Sequence, residues 1–292
     1  MLRPGTISPA TSWRAFFVFC TAAVLAHGAA PPAKPPELAQ IGLPDAAETQ
    51  QILEQFRHAG ISGQYYLELE LRALPRRGAE TVYRAKMWGG RNAEGAISRV
   101  ELTDANGGVR RLLVQNGEHP AVWRFVDGKT AQLGTNALFE PVIPGVEITA
   151  FDLQMPFLYW PNPTVERVTR ILGRPAHAFL FRAPAGFAAQ HPDVSAVRAY
   201  LDTQFNALVQ VEILGAKGDV TKTIALVALK RVGEQTIPKA LDVRNETTRD
   251  KTRFQVVGAA LNLALAPAAF EPAALAEDIR PPAAAQLVRV EP

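Results

Sequence analysis

From Gln64 to Arg72 the chain alternates: Tyr65, Leu67, Leu69 and Leu71 fall on one side, Tyr66, Glu68, Glu70 and Arg72 on the other. A period of two predicts a β-strand with one apolar and one mixed face. The pattern repeats in "TVYRAKMW", where Tyr83, Ala85 and Met87 oppose Val82, Arg84, Lys86 and Trp88. Just upstream the period is helical. Ile52, Leu53, Phe56 and Ala59 share one face, Asp45 and Glu48 have capping-box spacing, and Gly60 supplies a stop.

Turn signals then punctuate the chain. Asn106-Gly107, Asn116-Gly117 and Asp127-Gly128 separate the short apolar runs "SRVELTD", "RRLLVQ" and "AVWRFV", the signature of an antiparallel meander. Residues 135–149 read as irregular. Further strand-like runs follow from "VERVTRIL" to "TRFQVVGAAL". In the first of these Val165, Val168 and Ile171 also fit a helix, but Gly173-Arg174-Pro175 favours a hairpin turn and hence a strand. A short helix is expected near Phe270 to Glu277, and a loose tail from Arg280. One clear helix and roughly ten strands without strand–helix alternation make the fold mainly β (α+β). A single antiparallel sheet of that size must curl, and something must cover its concave face.

One stretch breaks the pattern. "FDLQMPFLYWPNP", Phe151 to Pro163, concentrates Met155, Phe157, Leu158, Tyr159 and Trp160 between prolines. Those prolines make it a poor helix and a poor central strand, so it reads as a loop or lid.

Charge and composition narrow the class. Arg3 and Arg14 precede an apolar run from Ala15 to Ala26, with Gly28, Ala29 and Ala30 behind it. That order is a cleavable signal peptide, residues 1–30, with an apolar run shorter than the roughly twenty residues a bilayer requires. A proline-rich leader follows over 31–44, then one domain over 45–279 and a tail over 280–292. Cys20, the single cysteine, lies inside the signal, so the processed chain has neither disulfides nor thiol chemistry. The whole chain has 31 basic and 28 acidic residues; without the signal the balance is 29 to 28, no footprint for nucleic acid.

No residue pattern along the chain points to catalysis. His58, His119, His177 and His191 stand at no ligand spacing; His191 with Asp193 comes nearest, across Pro192. Ser62, Ser98 and Ser195 lie in no G-x-S-x-G elbow. Glu68 and Glu70 share a strand face with Arg72, as an ion-paired surface would. The chain reads as a binder rather than an enzyme, with no metal and no cofactor.

The second half carries a resemblance. "FDLQMPFLYWPN", "ILGRPAHAFLFRAP" and "VRAYLDTQFNALVQVEILGAKGDVTKTIALVALKRVGEQTIPKALDVRNET" follow the helix ending "LEQFRHAG" and the meander beginning "ISGQYYLELEL". This order resembles the LolA-like superfamily of periplasmic lipoprotein carriers, in its outer membrane lipoprotein-sorting protein branch. The resemblance implies a half-open barrel with a helical or looped lid and an apolar cleft that shields acyl chains. It implies a periplasmic carrier of lipidated proteins or lipids, a membrane-bound donor or acceptor protein, and a monomer. A sensor that binds a regulatory protein on the same fold is the alternative. The expected cleft residues are Tyr65, Leu67, Leu69 and Leu71 on the first strand, Trp123 and Phe125 on the fifth, and Phe179 and Phe181 after the turn. Met155, Phe157, Leu158, Tyr159 and Trp160 would form the lid, or equally plug the core.

Overall fold

The structure, a computed structural model, describes residues 42–104 and 106–290. The signal-peptide reading, and all of the leader up to residue 41, lie outside the described residues. The chain enters through helix α1 (Ala46–His58), whose capping box is made as its spacing required: Asp45 accepts from the Glu48 N–H while Glu48 accepts from the Asp45 N–H. The N-terminal meander comprises β1 (Gln64–Leu74), β2 (Thr81–Arg91), β3 (Ala96–Thr103), β4 (Val109–Gln115), β5 (Ala121–Val126) and β6 (Lys129–Gln132). A segment outside the sheet follows, with a 3-10 turn at Thr135–Phe139, helix α2 (Ala150–Gln154) and a second 3-10 turn at Pro156–Tyr159.

The second meander begins with β7 (Thr164–Ile171) and β8 (Arg174–Arg182). Helix α3 (Ala185–Gln190) interrupts it before β9 (Ala196–Asp202), β10 (Leu208–Leu214), β11 (Val220–Val232), β12 (Gln235–Asn245) and β13 (Lys251–Leu263). Three further 3-10 turns, Pro267–Phe270, Pro272–Ala276 and Ala284–Gln286, lead to β14 (Val288–Arg289).

All the strands form one antiparallel sheet of 14 strands in the order β6-β5-β4-β3-β2-β1-β13-β12-β11-β10-β9-β8-β7, with β14 beside β13. Every neighbour along that path is also a neighbour in sequence, save one: β1 meets β13, pairing from Gln64↔Leu263 to Leu74↔Lys251. Among the described residues no ladder joins β6 to β7, so the sheet curls without closing. Its inner face, with α1 and the inserted segment, holds the main core, in which Leu53, Leu67, Leu69, Leu71, Phe179 and Phe181 are all buried.

The residues from 264 to 290 depart from the expected short helix and loose tail. They form a strap over the outer face of β1 to β5. Leu275 is buried between Ile97 and Leu113, β14 pairs with β13 at Gly258↔Arg289, and Val290 is buried. The expected helix at Phe270 to Glu277 is two 3-10 turns, each started by a proline, whose fixed φ suits a first helical position but whose spacing prevents a longer helix.

Candidate functional site

The inserted segment is a folded plug. Thr149 caps α2, donating its hydroxyl to Asp152 Oδ2 at 2.9 Å and accepting from the Asp152 N–H at 3.3 Å. The helix ends after five residues at Met155, in the left-handed region at φ 49°, and Pro156 opens the next turn, where no N–H is needed. The prolines shorten the helices rather than forbid them, so of the helical or looped lid expected, the segment takes the form of short helical turns.

Its side chains reach across the inner face of the sheet. Phe151 and Phe157 have their centroids 6.1 Å apart, and Phe157 meets Phe181 of β8 edge-on at 5.8 Å. Trp160 packs on Phe187 of α3 at 4.9 Å, and Phe151 stacks on Phe139 at 4.6 Å. Phe151, Phe157, Leu158 and Trp160 are buried, while Met155 and Tyr159 are half-buried at the margin of the same cluster. The closed plug leaves little room. One apolar space between it and the sheet, lined by Leu69, Leu71, Ala85, Leu153 and Phe254 among others, is about 10 Å³, scarcely one water.

Polar contacts pin the plug from three sides. The Arg57 guanidinium of α1 donates from Nε and Nη2 to the Leu158 carbonyl at 3.0 and 2.5 Å, and lies 4.7 Å from the centre of the Tyr159 ring. The Asn116 amide, beyond β4, donates to the Gln154 carbonyl at 2.5 Å, and the Gln154 amide donates to the Gln115 carbonyl at 3.1 Å. From β11, Lys222 Nζ donates to Asp152 Oδ2 at 2.8 Å and to the Glu147 carbonyl at 3.0 Å. Asp152 is buried and its second oxygen, Oδ1, has no partner. A buried carboxylate with a lysine opposite is a strong latch while whole and a costly fragment when halved.

The structure separates the expected cleft residues by face. Tyr65, Leu67, Leu69 and Leu71 belong to the inner cluster, as do Phe179 and Phe181. The Tyr65 ring lies across Gly89 of β2; a Cβ there would sit 2.1 Å from the ring, so any larger residue displaces it. Burial pushes the Tyr65 hydroxyl up to about 12. Trp123 and Phe125 face the other way. They join Leu113, Ile97 and Leu275 on the outer face under the strap, and the inward residues of that hairpin are Leu112, Val114 and Val122. The reason is register: Leu113 pairs with Trp123 and Leu112 with Arg124, and a one-residue offset exchanges the faces.

Asp152, Lys222, Arg57 and Asn116 are functional candidates that periodicity does not reveal, since their partners are distant in sequence. "TAFD" did carry a signal, because a Thr followed at the third position by Asp is a helix start. His191 is buried against Phe139 and Phe187, at centroid distances of 4.6 and 4.8 Å, and acts as an aromatic plate. Among the described residues no group of three or more His, Cys, Asp or Glu side chains is placed to hold a metal ion. No described helix is long and apolar enough to cross a membrane.

No protein-family model matches the chain, and no curated protein matches it. Solved structures do. An outer membrane lipoprotein-sorting protein domain from Vibrio parahaemolyticus superposes with a TM-score of 0.68 at 12% identity, covering 79% of this chain and 97% of that one. A DUF1329 family protein from Desulfovibrio piger gives 0.65 at 11% identity, over 77% and 96% of the two chains. A LolA superfamily protein from Nitrosomonas europaea gives 0.59 at 15% identity, over 76% and 96%. Identities this low speak for shared architecture and not for shared activity. The open, plugged half-barrel described here has the fold of the LolA-like lipoprotein-sorting proteins.

Proposed function

We propose that the chain is a periplasmic, non-catalytic carrier that shields the acyl chains of lipidated proteins or lipids on the inner face of its sheet, exchanging the plug for cargo. One observation carries the reading: the inner apolar face is completed by a single inserted segment, 135–163, outside the ladder and joined to the rest by side chains. Opening the plug therefore breaks no strand pairing among the numbered strands.

The energies support exchange. The exchange concerns residues 150–160, with Val142, Ile143, Val146 and Ile148 of the same segment staying seated in the core. Re-exposing the four large buried side chains Phe151, Phe157, Leu158 and Trp160 costs roughly 6–12 kcal/mol at about 1.5–3 kcal/mol each. An acyl chain of about fourteen methylenes returns roughly 11 kcal/mol at about 0.8 kcal/mol per CH2. The two nearly cancel, so cargo both enters and leaves. A sheet with a permanently open apolar groove would instead hold lipid tightly and expose it when empty.

The test is native mass spectrometry of the exported protein with solvent extraction, beside titration with a fluorescent fatty acid. The expected result is a bound lipid or saturable uptake, with Trp160 moving to a more polar environment as the plug leaves. An empty protein that takes up no fatty acid, even when the Lys222–Asp152 latch is removed, would overturn the reading and make the plug a permanent core.

A further inference from the structure

The outer face carries a second apolar surface, and the chain covers it with its own strap. Tyr66, Trp88 and Arg99 stand side by side on β1, β2 and β3, paired Tyr66↔Trp88 and Trp88↔Arg99, all fully buried. The Tyr66 and Trp88 rings lie 5.3 Å apart. Each of the three has a buried polar atom with no partner: the Tyr66 hydroxyl, Trp88 Nε1 and Arg99 Nε. The strap fits the apolar part of this surface and leaves a row of hydrogen-bonding groups unanswered.

Arginines make the fit that does exist. Arg99 donates to the carbonyls of Ala274 at 3.0 Å and Leu275 at 3.3 Å, and to that of Glu277. Arg111, over the Phe125 ring at 5.3 Å, donates to the Ala276 carbonyl at 2.8 Å and pairs with Asp278. Successive carbonyls at the end of a 3-10 turn, one leucine and one carboxylate are thus read together. The charges are complementary too. On the outer face of β1 to β5, Arg72, Arg84, Lys86, Arg99 and Arg111 outnumber Glu68, Glu70 and Glu101, while the strap segment brings Glu271, Glu277 and Asp278.

We infer that the outer face of β1 to β5 is a binding groove for an acidic polypeptide segment that presents a leucine from a proline-started 3-10 turn, and that the strap occupies it in cis. Two tryptophans, a tyrosine, a phenylalanine and two arginines are the composition of an interface hot spot. A partner segment that also offered an acceptor to Trp88 Nε1 and Arg99 Nε would answer groups the strap leaves bare. From residue 264 to residue 287 the strap adds no strand to the sheet and packs in clusters separate from the inner core, while Val290 beyond it belongs to that core. Release of 264–287 with β14 and Val290 still seated therefore leaves the half-barrel whole. The groove lies on the face opposite the plug, and this inference does not depend on what the inner face carries.

The test uses the full chain and a fluorescent synthetic peptide of residues 267–279, with a scrambled peptide as control, followed by anisotropy. The strap competes in cis, so weakening it from its own side raises the apparent affinity for the peptide. Leu275→Ala should bind the peptide at least tenfold more tightly than the unaltered chain. Adding Arg99→Met should remove that gain, and replacing the acids of the peptide by their amides should weaken binding at least tenfold. Equal binding to all variants, or none to Leu275→Ala, would overturn the inference. If Leu275→Ala does not fold, hydrogen exchange on the unaltered chain decides. Strap amides that exchange faster than the β1–β3 ladder support a displaceable occupant, whereas amides that open only with the ladder make the strap a fixed layer and sink the proposal.

Discussion

Replacing Lys222 with methionine is the sharpest way to open the plug without touching an apolar residue. In the structure Asp152 Oδ2 accepts from the Thr149 N–H at 2.8 Å and from Lys222 Nζ at 2.8 Å, in a buried setting. Methionine keeps the aliphatic stem and strands the carboxylate. Removing one member of a buried pair costs about 3–5 kcal/mol, and Lys222 retains some solvent contact, so the lower end applies. About 3 kcal/mol is roughly a hundredfold in an equilibrium constant. If the plug moves as a unit, that factor falls on its closure alone. Hydrogen exchange followed by mass spectrometry should then show amides of 150–160 exchanging about a hundredfold faster, with the β1–β13 ladder unchanged. Adding Asp152→Asn removes the stranded charge while keeping an acceptor for Thr149, and should recover part of the loss. Two results would refute the reasoning: plug amides as protected as before, or the same loss of protection in plug and ladder. The second would mean that the plug and the sheet unfold together and that no separate opening exists.

Other perturbations test neighbouring parts of the argument. Gly89→Ala should destabilise the fold by about 1–3 kcal/mol in thermal unfolding, because its methyl displaces the Tyr65 ring, and Tyr65→Ala should relieve that clash. Arg57→Lys should raise plug exchange without altering the global melting temperature, since a lysine cannot reproduce the two-nitrogen contact with the Leu158 carbonyl. Burial alone would raise the Glu101 carboxyl, yet hydrogen bonds from Lys86 and Arg111 outweigh it and hold the group below its usual range. A depressed carboxyl adds stability above its unfolded pKa of about 4.3, and that stability is lost as pH falls through the folded value. Glu101→Gln should therefore flatten the decline in stability measured below about pH 4, and leave the slope above pH 6 unchanged.

The sheet was legible because its signal is local. Tyr65, Leu67, Leu69 and Leu71 alternate within one strand, and their shared inner face follows from the pleat alone. Phe179 and Phe181 share that inner face for the same reason. Trp123 and Phe125 lie on the outer face instead, because alternation within a strand does not say which of its two faces points inward. The face was decided by pairing with β4, where Leu112 and Val114 already pointed inward. The plug was legible as a covering segment but not as helix, because its prolines drew more weight than the Thr149–Asp152 cap. Nothing periodic marks residues 264–290. They are held by carbonyls offered to Arg99 and Arg111 from β3 and β4, contacts about 165 to 178 residues apart in sequence, which no local pattern encodes.

The single non-sequential junction in the sheet has a consequence for how the molecule assembles. Every other pairing among β1 to β13 is a hairpin that forms between near neighbours, whereas β1 must wait for β13. Closing a loop of that length carries an entropy that grows only with the logarithm of its size, so the penalty is modest, but it falls on one event. Two meanders can mature separately, each with two open edges and an unfilled apolar face, until that seam zips. The slow step in folding should therefore be the meeting of the two ends of the chain, and damage to β13 should stall the protein as two half-sheets with sticky edges.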